Sequence, residues 1–132
     1  MSGQNNSLIM VNMMEGVGTV SFSTSQVLDE LNVQQLGKEL MDLVEKHYIV
    51  KMVINFERIK FLSSAVLGKL ISLNKRIAKE KGRLAFCCIN DDIMQVFKIT
   101  RLDKLIPIYE TESQAVSAVS KGGLFGGLFG RK

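Results

Sequence analysis

Apolar and polar positions along the chain switch between two periods, and the switches mark the elements. Residues 8–14 (LIMVNMM) and 17–28 read as extended segments, with Gly16 and Gly18 at their junction, which predicts a hairpin. From Asn32 the period becomes helical: Val33, Leu36, Leu40, Leu43 and Val44 fall on one face, and Gln34, Lys38, Glu39, Asp42 and Glu45 on the wet one. Gln35, three residues after Asn32, gives that helix a capping-box-like start. Residues 48–56 (YIVKMVINF) are rich in β-branched and aromatic side chains and predict a strand.

A second helix is predicted over 64–81, with Val66, Leu67, Leu70, Ile71, Leu73, Ile77 and Ala78 inward and Gly82 as its C′ residue. Residues 83–89 are nearly all apolar, as suits a strand buried on both faces. Asp91 and Asp92 open a short helix with Ile93, Val96 and Phe97 inward. A last strand at 105–109 contains the only proline, Pro107, which marks it as an edge. Thr111 to Gln114 form a capping box before a final helix with Ala115, Val116 and Val119 inside.

The order ββαβαβαβα predicts one α/β domain with a mixed sheet of about five strands and about four helices, spanning residues 1–120. The strand–helix–strand run 48–89 implies a parallel pair with a right-handed crossover. Residues 121–132 differ from this body: they end in GGLFGGLFGRK, whose glycine spacing opposes regular structure, and they predict a flexible tail. Two Leu-Phe pairs beside Arg131 and Lys132 offer that tail an alternative, contact with a membrane or a partner groove.

A length of 132 residues fits one domain, and 46% hydrophobic with 23% charged residues is ordinary for a globular chain. The net charge of +4 shrinks once the tail is set apart, since 14 of the 17 basic residues then face 13 acids. A net +1 without a dense basic stripe argues against nucleic-acid binding. No apolar run reaches the length of a membrane span, and the N-terminus (MSGQNNSLIM) lacks the basic and apolar regions of a secretory signal, so a cytoplasmic protein is expected. Cys87 and Cys88 are adjacent and the one histidine is His47, which leaves no spaced ligand set; no metal and no cofactor are expected.

The chemistry narrows to Ser63 and Ser64, between the 48–56 strand and the helix after it. Sites in α/β sheets gather past the carboxyl ends of parallel strands, where a helix N-terminus offers free N–H groups and a positive dipole end. Either serine suits an N-cap. A catalytic serine is excluded by the missing nucleophile elbow and by His47, which precedes the strand and lies about 25 Å from its far end at about 3.3 Å per residue. The Gly68-Lys69 pair lies within a helix without the glycine-rich run of a phosphate loop, so the chain is not expected to be an enzyme. A phosphoryl acceptor is the better reading, because the helix dipole favours the charge of about −1.5 to −2 that phosphate adds.

The stretch from INFERIKFLSSAVLGKL to KLIPIYET resembles a STAS domain of the bacterial anti-sigma factor antagonist type. In that family a strand leads to a phrase like D-S-S-G-L-G, then a helix, G-G-x-L and a strand, with L-x-x-x-x-L and I-x-x-Y further on. Residues 81–84 (KGRL), 96–102 (VFKITRL) and 106–109 (IPIY) follow this rhythm. The resemblance spans roughly residues 8–119 and implies a STAS-like fold.

Carried over by position, Phe61, Leu62, Ser64, Leu67 and Gly68 fit the family phrase. Ser64 stands at the phosphorylatable serine, and Asn32 near the acidic residue before the first helix. Ser63 replaces the aspartate and Val66 the glycine, which makes Ser63 a rival acceptor. The resemblance thus implies a partner-binding surface of Asn32, Phe61, Leu62, Ser63, Ser64, Val66, Leu67 and Gly68. It implies partner switching in transcription and stress signalling: a kinase-type anti-sigma factor binds the unphosphorylated form and phosphorylates it, and a PP2C-type phosphatase resets it. The alternative it leaves is a non-phosphorylated STAS accessory subunit of a transporter ATPase or a sensory assembly.

Overall fold

The structure, a computed structural model, describes residues 7–23, 25 and 32–121. The elements are β1 (Ile9–Met14), β2 (Val17–Phe22), α1 (Val33–Glu45), β3 (Lys51–Asn55), α2 (Ser64–Lys79), β4 (Arg83–Cys87), α3 (Asp91–Ile99), α4 (Leu102–Leu105), β5 (Ile108–Tyr109) and α5 (Glu112–Ser120). They form a five-stranded sheet in the order β1-β2-β3-β4-β5. β1 runs antiparallel to β2, while β2 to β5 are parallel, giving the expected mixed sheet.

The predicted hairpin turns at Glu15 and Gly16, both at positive φ (56° and 80°), with Met14 opposite Val17. A two-residue turn of this kind matches the twist of the strands it joins. Gly18 lies inside β2 rather than in the turn; a Cβ there would sit 2.7 Å from Ile49 Cγ2. Residues 24 and 26–28 of the second extended segment, and the tail beyond Lys121, lie outside the described residues.

Strand alternation divides the apolar side chains between two faces. Val20, Phe22, Met52, Ile54, Leu84 and Phe86 meet α1, α2 and α3 in the main core. Val17, Val53, Ala85 and Cys87 face the other way and pack under Ala115, Val116 and Val119 of α5. The small residues on that second face let α5 lie close to the sheet. Its start carries the predicted capping box, with Thr111 Oγ1 accepting from Gln114 N at 3.1 Å.

Several boundaries depart from the expectation. β3 begins at Lys51 rather than Tyr48, because the end of α1 uses the preceding residues. Tyr48 adopts φ 58°, and the Ile49 N–H returns to the Leu43 carbonyl at 2.9 Å. The capping box expected at Asn32 and Gln35 is not formed: Asn32 has helical backbone angles and makes no side-chain cap bond, and Gln35 donates to Glu39 Oε2 at 2.7 Å.

The left-handed residue ending α2 is Lys81 (φ 63°), not Gly82. Lys81 N donates to the Ala78 carbonyl at 2.9 Å and Gly82 N to that of Ile77 at 2.8 Å, a Schellman closure. Glycine at 82 answers a different need, since a Cβ there would fall on the Val50 carbonyl oxygen. The segment read as a strand from Leu105 is helical up to that residue, because Ile106 N bonds the Leu102 carbonyl at 3.0 Å and buries Leu102 and Ile106 together. Only Ile108 and Tyr109 pair with β4, so the order is ββαβαβααβα.

Candidate functional site

The segment between β3 and α2 is tied down on four sides. Phe56 N donates to the Cys87 carbonyl of β4 at 3.0 Å. Asn55 at the end of β3 donates to Glu112 of α5 at 2.8 Å while its Oδ1 accepts from Glu57 N at 2.8 Å. Arg58 Nη1 reaches the Ser23 carbonyl past β2 at 2.7 Å. Asn90 Nδ2 donates to the Ile59 carbonyl at 3.1 Å, and Asn90 Oδ1 caps α3 by accepting from Ile93 N at 2.8 Å.

Beneath these tethers lies an aromatic cluster centred on Phe56, whose ring centroid is 5.6 Å from Phe22, 5.0 Å from Phe86 and 5.8 Å from Phe97. Edge-to-face packing of this kind adds to the hydrophobic burial of the rings. Ile59 is buried as well. The chain that delivers the two serines is therefore a fixed platform.

Ser63 takes the N-cap position of α2 with extended backbone (φ −83°, ψ 161°), and its carbonyl accepts from Val66 N at 3.1 Å. Its hydroxyl makes no cap bond; Oγ is buried and has no hydrogen-bond partner among the described residues. Ser64 is the first residue of α2 and is exposed. The first turn of α2 holds no acidic residue, so the positive end of the helix dipole at Ser64 is not offset locally. Exposed Lys60 adds a positive charge four residues earlier.

The other predicted positions separate by burial. Phe61 (61% exposed), Ser64 and Gly68 face solvent, whereas Leu62 packs against the main core and Leu67 is buried. Val66 is fully buried, so it has no surface to give a partner; the inward face of α2 claims it for the core. Gly68 has open space where a Cβ would be, so no packing inside the domain requires glycine there.

Asn32 begins α1 as Ser64 begins α2, and the two helices lie side by side in the same direction. Lys69 Nζ bonds Gln34 Oε1 at 3.0 Å and Arg76 bonds Glu45 at 2.7 Å. Both starts thus open at one end of the helical layer, with His47 just past the opposite end of α1.

Asn55, Arg58 and Asn90 were not marked by sequence reasoning. A polar residue three before Ile93 and ahead of Asp91-Asp92 is a capping signal that points to Asn90. No local signal identifies Arg58, whose acceptors are backbone carbonyls. Burial pushes the Cys87 thiol well above its ordinary range, and a hydrogen bond with Cys88 and the charges of Glu112 and Glu57 add to the effect. Cys87 is therefore a packed neutral thiol and not a nucleophile.

Comparison with known proteins gives this geometry a family. The STAS domain family matches residues 10–115. An anti-sigma F factor antagonist of Paenibacillus polymyxa is 21% identical over 109 residues, covering 83% of this chain and 93% of that protein. An anti-sigma factor antagonist from Mycobacterium paratuberculosis superposes with a TM-score of 0.74 at 26% identity, covering 84% of this chain and 92% of that one. The phosphorylated form of the Bacillus cell fate determinant SpoIIAA shares the fold, with a TM-score of 0.65 at 19% identity over 84% of this chain and 98% of its own.

Proposed function

Because the chain belongs to the STAS domain family, we propose that it is a regulatory binding module of the anti-sigma factor antagonist type, not an enzyme, and that it works by partner switching. Unphosphorylated, it binds a kinase-type anti-sigma factor. That kinase transfers the γ-phosphoryl group of ATP to Ser64 Oγ and releases ADP, and the complex separates. A PP2C-type phosphatase hydrolyses the phosphoserine and restores the binding form. The chain needs no cofactor of its own, and the use of ATP by its partner puts the cycle in the cytoplasm.

The observation that carries the reading is Ser64 itself. It is exposed, it stands at the N-terminus of a 16-residue helix, and it rides on a platform fixed by four tethers. A phosphate there adds about −1.5 to −2 charges at a dipole end that favours them, so the fold tolerates the change. A docked partner does not, because the charge must be desolvated at the interface without a counter-charge. Phe61 and Gly68 supply the surroundings, an exposed aromatic anchor and a flat stretch of helix for close approach.

Incubation with a cognate kinase and ATP tests the assignment. Wild type and Ser63→Ala should be labelled and Ser64→Ala should not; the reverse pattern moves the acceptor to Ser63. Ser63 in place of the family's aspartate favours a second reading, a STAS accessory subunit of a transporter ATPase or sensory assembly that is never phosphorylated. The intact mass of protein taken from its own cells decides between the two.

A further inference from the structure

The outer edge of β1 is undefended. The strand reads IMVNMM, with no charge, no proline and no glycine over six residues. Sheet edges are ordinarily blunted by such residues or by shortness. The opposite edge follows that rule: β5 is two residues long and is preceded by Pro107. Met10, Met13 and Met14 are 49%, 59% and 44% exposed, so β1 holds three of the seven large apolar side chains left in solvent among the described residues. An apolar row on an open edge is a surface that soluble proteins cover.

The hydrogen-bond pattern fixes which backbone groups are on offer. Ser23 N donates to the Leu8 carbonyl at 3.0 Å, and Met14 stands opposite Val17 across the two-residue turn. Bonded pairs alternate along an antiparallel ladder, so the even-numbered residues of β1 bond β2, while Ile9, Val11 and Met13 turn their N–H and C=O groups outward. Ser7 already occupies Ile9, its Oγ donating to the Ile9 carbonyl at 2.9 Å. Val11 and Met13 remain, one on each side of Asn12. A second β1 laid antiparallel about a twofold axis at Asn12 satisfies both, because Val11 of each copy meets Met13 of the other in a bonded pair.

We propose that the protein forms a twofold dimer through β1, joining two five-stranded sheets into one continuous sheet. This register gives each exposed methionine of the strand a partner. Even-numbered positions lie on the α5 face, since Met14 stands opposite Val17 of the cluster beneath α5. There Met10 meets Met14 of the second copy on both sides of a central pair of Asn12 side chains, whose amides donate and accept mutually. On the other face Met13 meets Val11 of the second copy, beside the open groove that Ile9, Val11 and Leu43 line. A shift of two residues either displaces Ser7 from Ile9 or leaves Met10 opposite Gly16. The strand is thus complementary to itself, and with no charge on it no like charges meet, which commits the edge to a second copy. β3, which leads to Ser64, lies two strands inward, so the dimer leaves that surface open.

Sedimentation of the full chain over a range of concentrations tests the pairing. Wild type should show a monomer–dimer equilibrium. Asn12→Lys sets two ammonium groups on the axis and should weaken the dimer at least about tenfold, with circular dichroism unchanged because Asn12 is exposed. Ile99→Lys, at an exposed position on α3, is the control and should dimerise as wild type does. Mild oxidation reads the register, with the linked peptides identified by mass spectrometry. Asn12→Cys should cross-link to itself. Met10→Cys alone should not, since its counterpart lies about 13 Å along the strand, but it should when mixed with Met14→Cys. A wild-type chain that stays monomeric throughout overturns the proposal. So does a dimer that Asn12→Lys leaves intact, which assigns association to another surface, or a cross-link of Met10→Cys to itself, which breaks the register.

Discussion

Asn90 holds Ile59: its amide donates to the Ile59 carbonyl at 3.1 Å while its Oδ1 caps α3 through Ile93 N at 2.8 Å. One side chain thereby joins the platform of Ser64 to the start of a different helix. Asn90→Ala should lower stability by about 1–3 kcal/mol, from a lost cap and a lost hydrogen bond. Asn90→Asp keeps the cap acceptor but cannot donate to Ile59. It should unfold in urea closer to wild type than Asn90→Ala does, yet show faster amide exchange across 59–64. Equal protection of that stretch in Asn90→Asp and wild type would remove the tether from the account.

Two glycines should respond in opposite ways to alanine. At Gly82 a Cβ meets the rigid backbone of Val50, so Gly82→Ala should destabilise by about 1–3 kcal/mol. At Gly68 a Cβ meets nothing, and Gly68→Ala should gain about 0.5–1 kcal/mol from helix propensity. Thermal melts read both. If Gly68 is kept for close approach of a partner, its stabilised variant should bind the kinase-type partner more weakly.

Ser64→Asp should separate fold from function. A carboxylate at the start of α2 gains about 0.3–1 kcal/mol from the helix dipole, and buried Val66, Leu70 and Ile77 are untouched. Circular dichroism and melting temperature should stay near wild type while partner affinity falls at least about tenfold, about 1.4 kcal/mol. A folded Ser64→Asp that binds as tightly as wild type would count against partner switching.

The cysteines should differ sharply in reactivity. Cys87 is fully buried and its thiol is pushed up by burial, whereas Cys88 is only partly buried. Under native conditions iodoacetamide should add one group, on Cys88, and a second only in denaturant. Cys87 also bears on alkaline stability. Because its pKa is raised on folding, the neutral thiol stabilises fully below the unfolded value of about 8.5 and less as pH rises above it. Cys87→Ala should therefore flatten the loss of stability above about pH 9, as followed by urea titrations across that range.

Local pattern alone determined much of this protein. The helical period of Val33, Leu36 and Leu40, the capping box of Thr111 and Gln114, and the apolar run of β4 depend on residues a few positions apart, whose geometry the covalent chain dictates. The strand–helix–strand run from β3 to β4 then left parallel pairing as the economical solution. Ser64 was legible for the same reason, as a small polar residue where a strand gives way to a helix.

Tertiary structure decided what those positions meet. Gly82 reads as a helix terminator, but its need comes from Val50, 32 residues earlier and brought beside it by sheet packing. Val66 stands where the family phrase has glycine, two residues after Ser64, and was read with the partner surface, yet the turn of α2 directs it wholly into the core. Arg58 and Asn90 hold the platform through carbonyls 35 and 31 residues away, at Ser23 and Ile59. A backbone carbonyl carries no side-chain signature, so such partners exist in the sequence only as distance, and the register of five strands is what closes it.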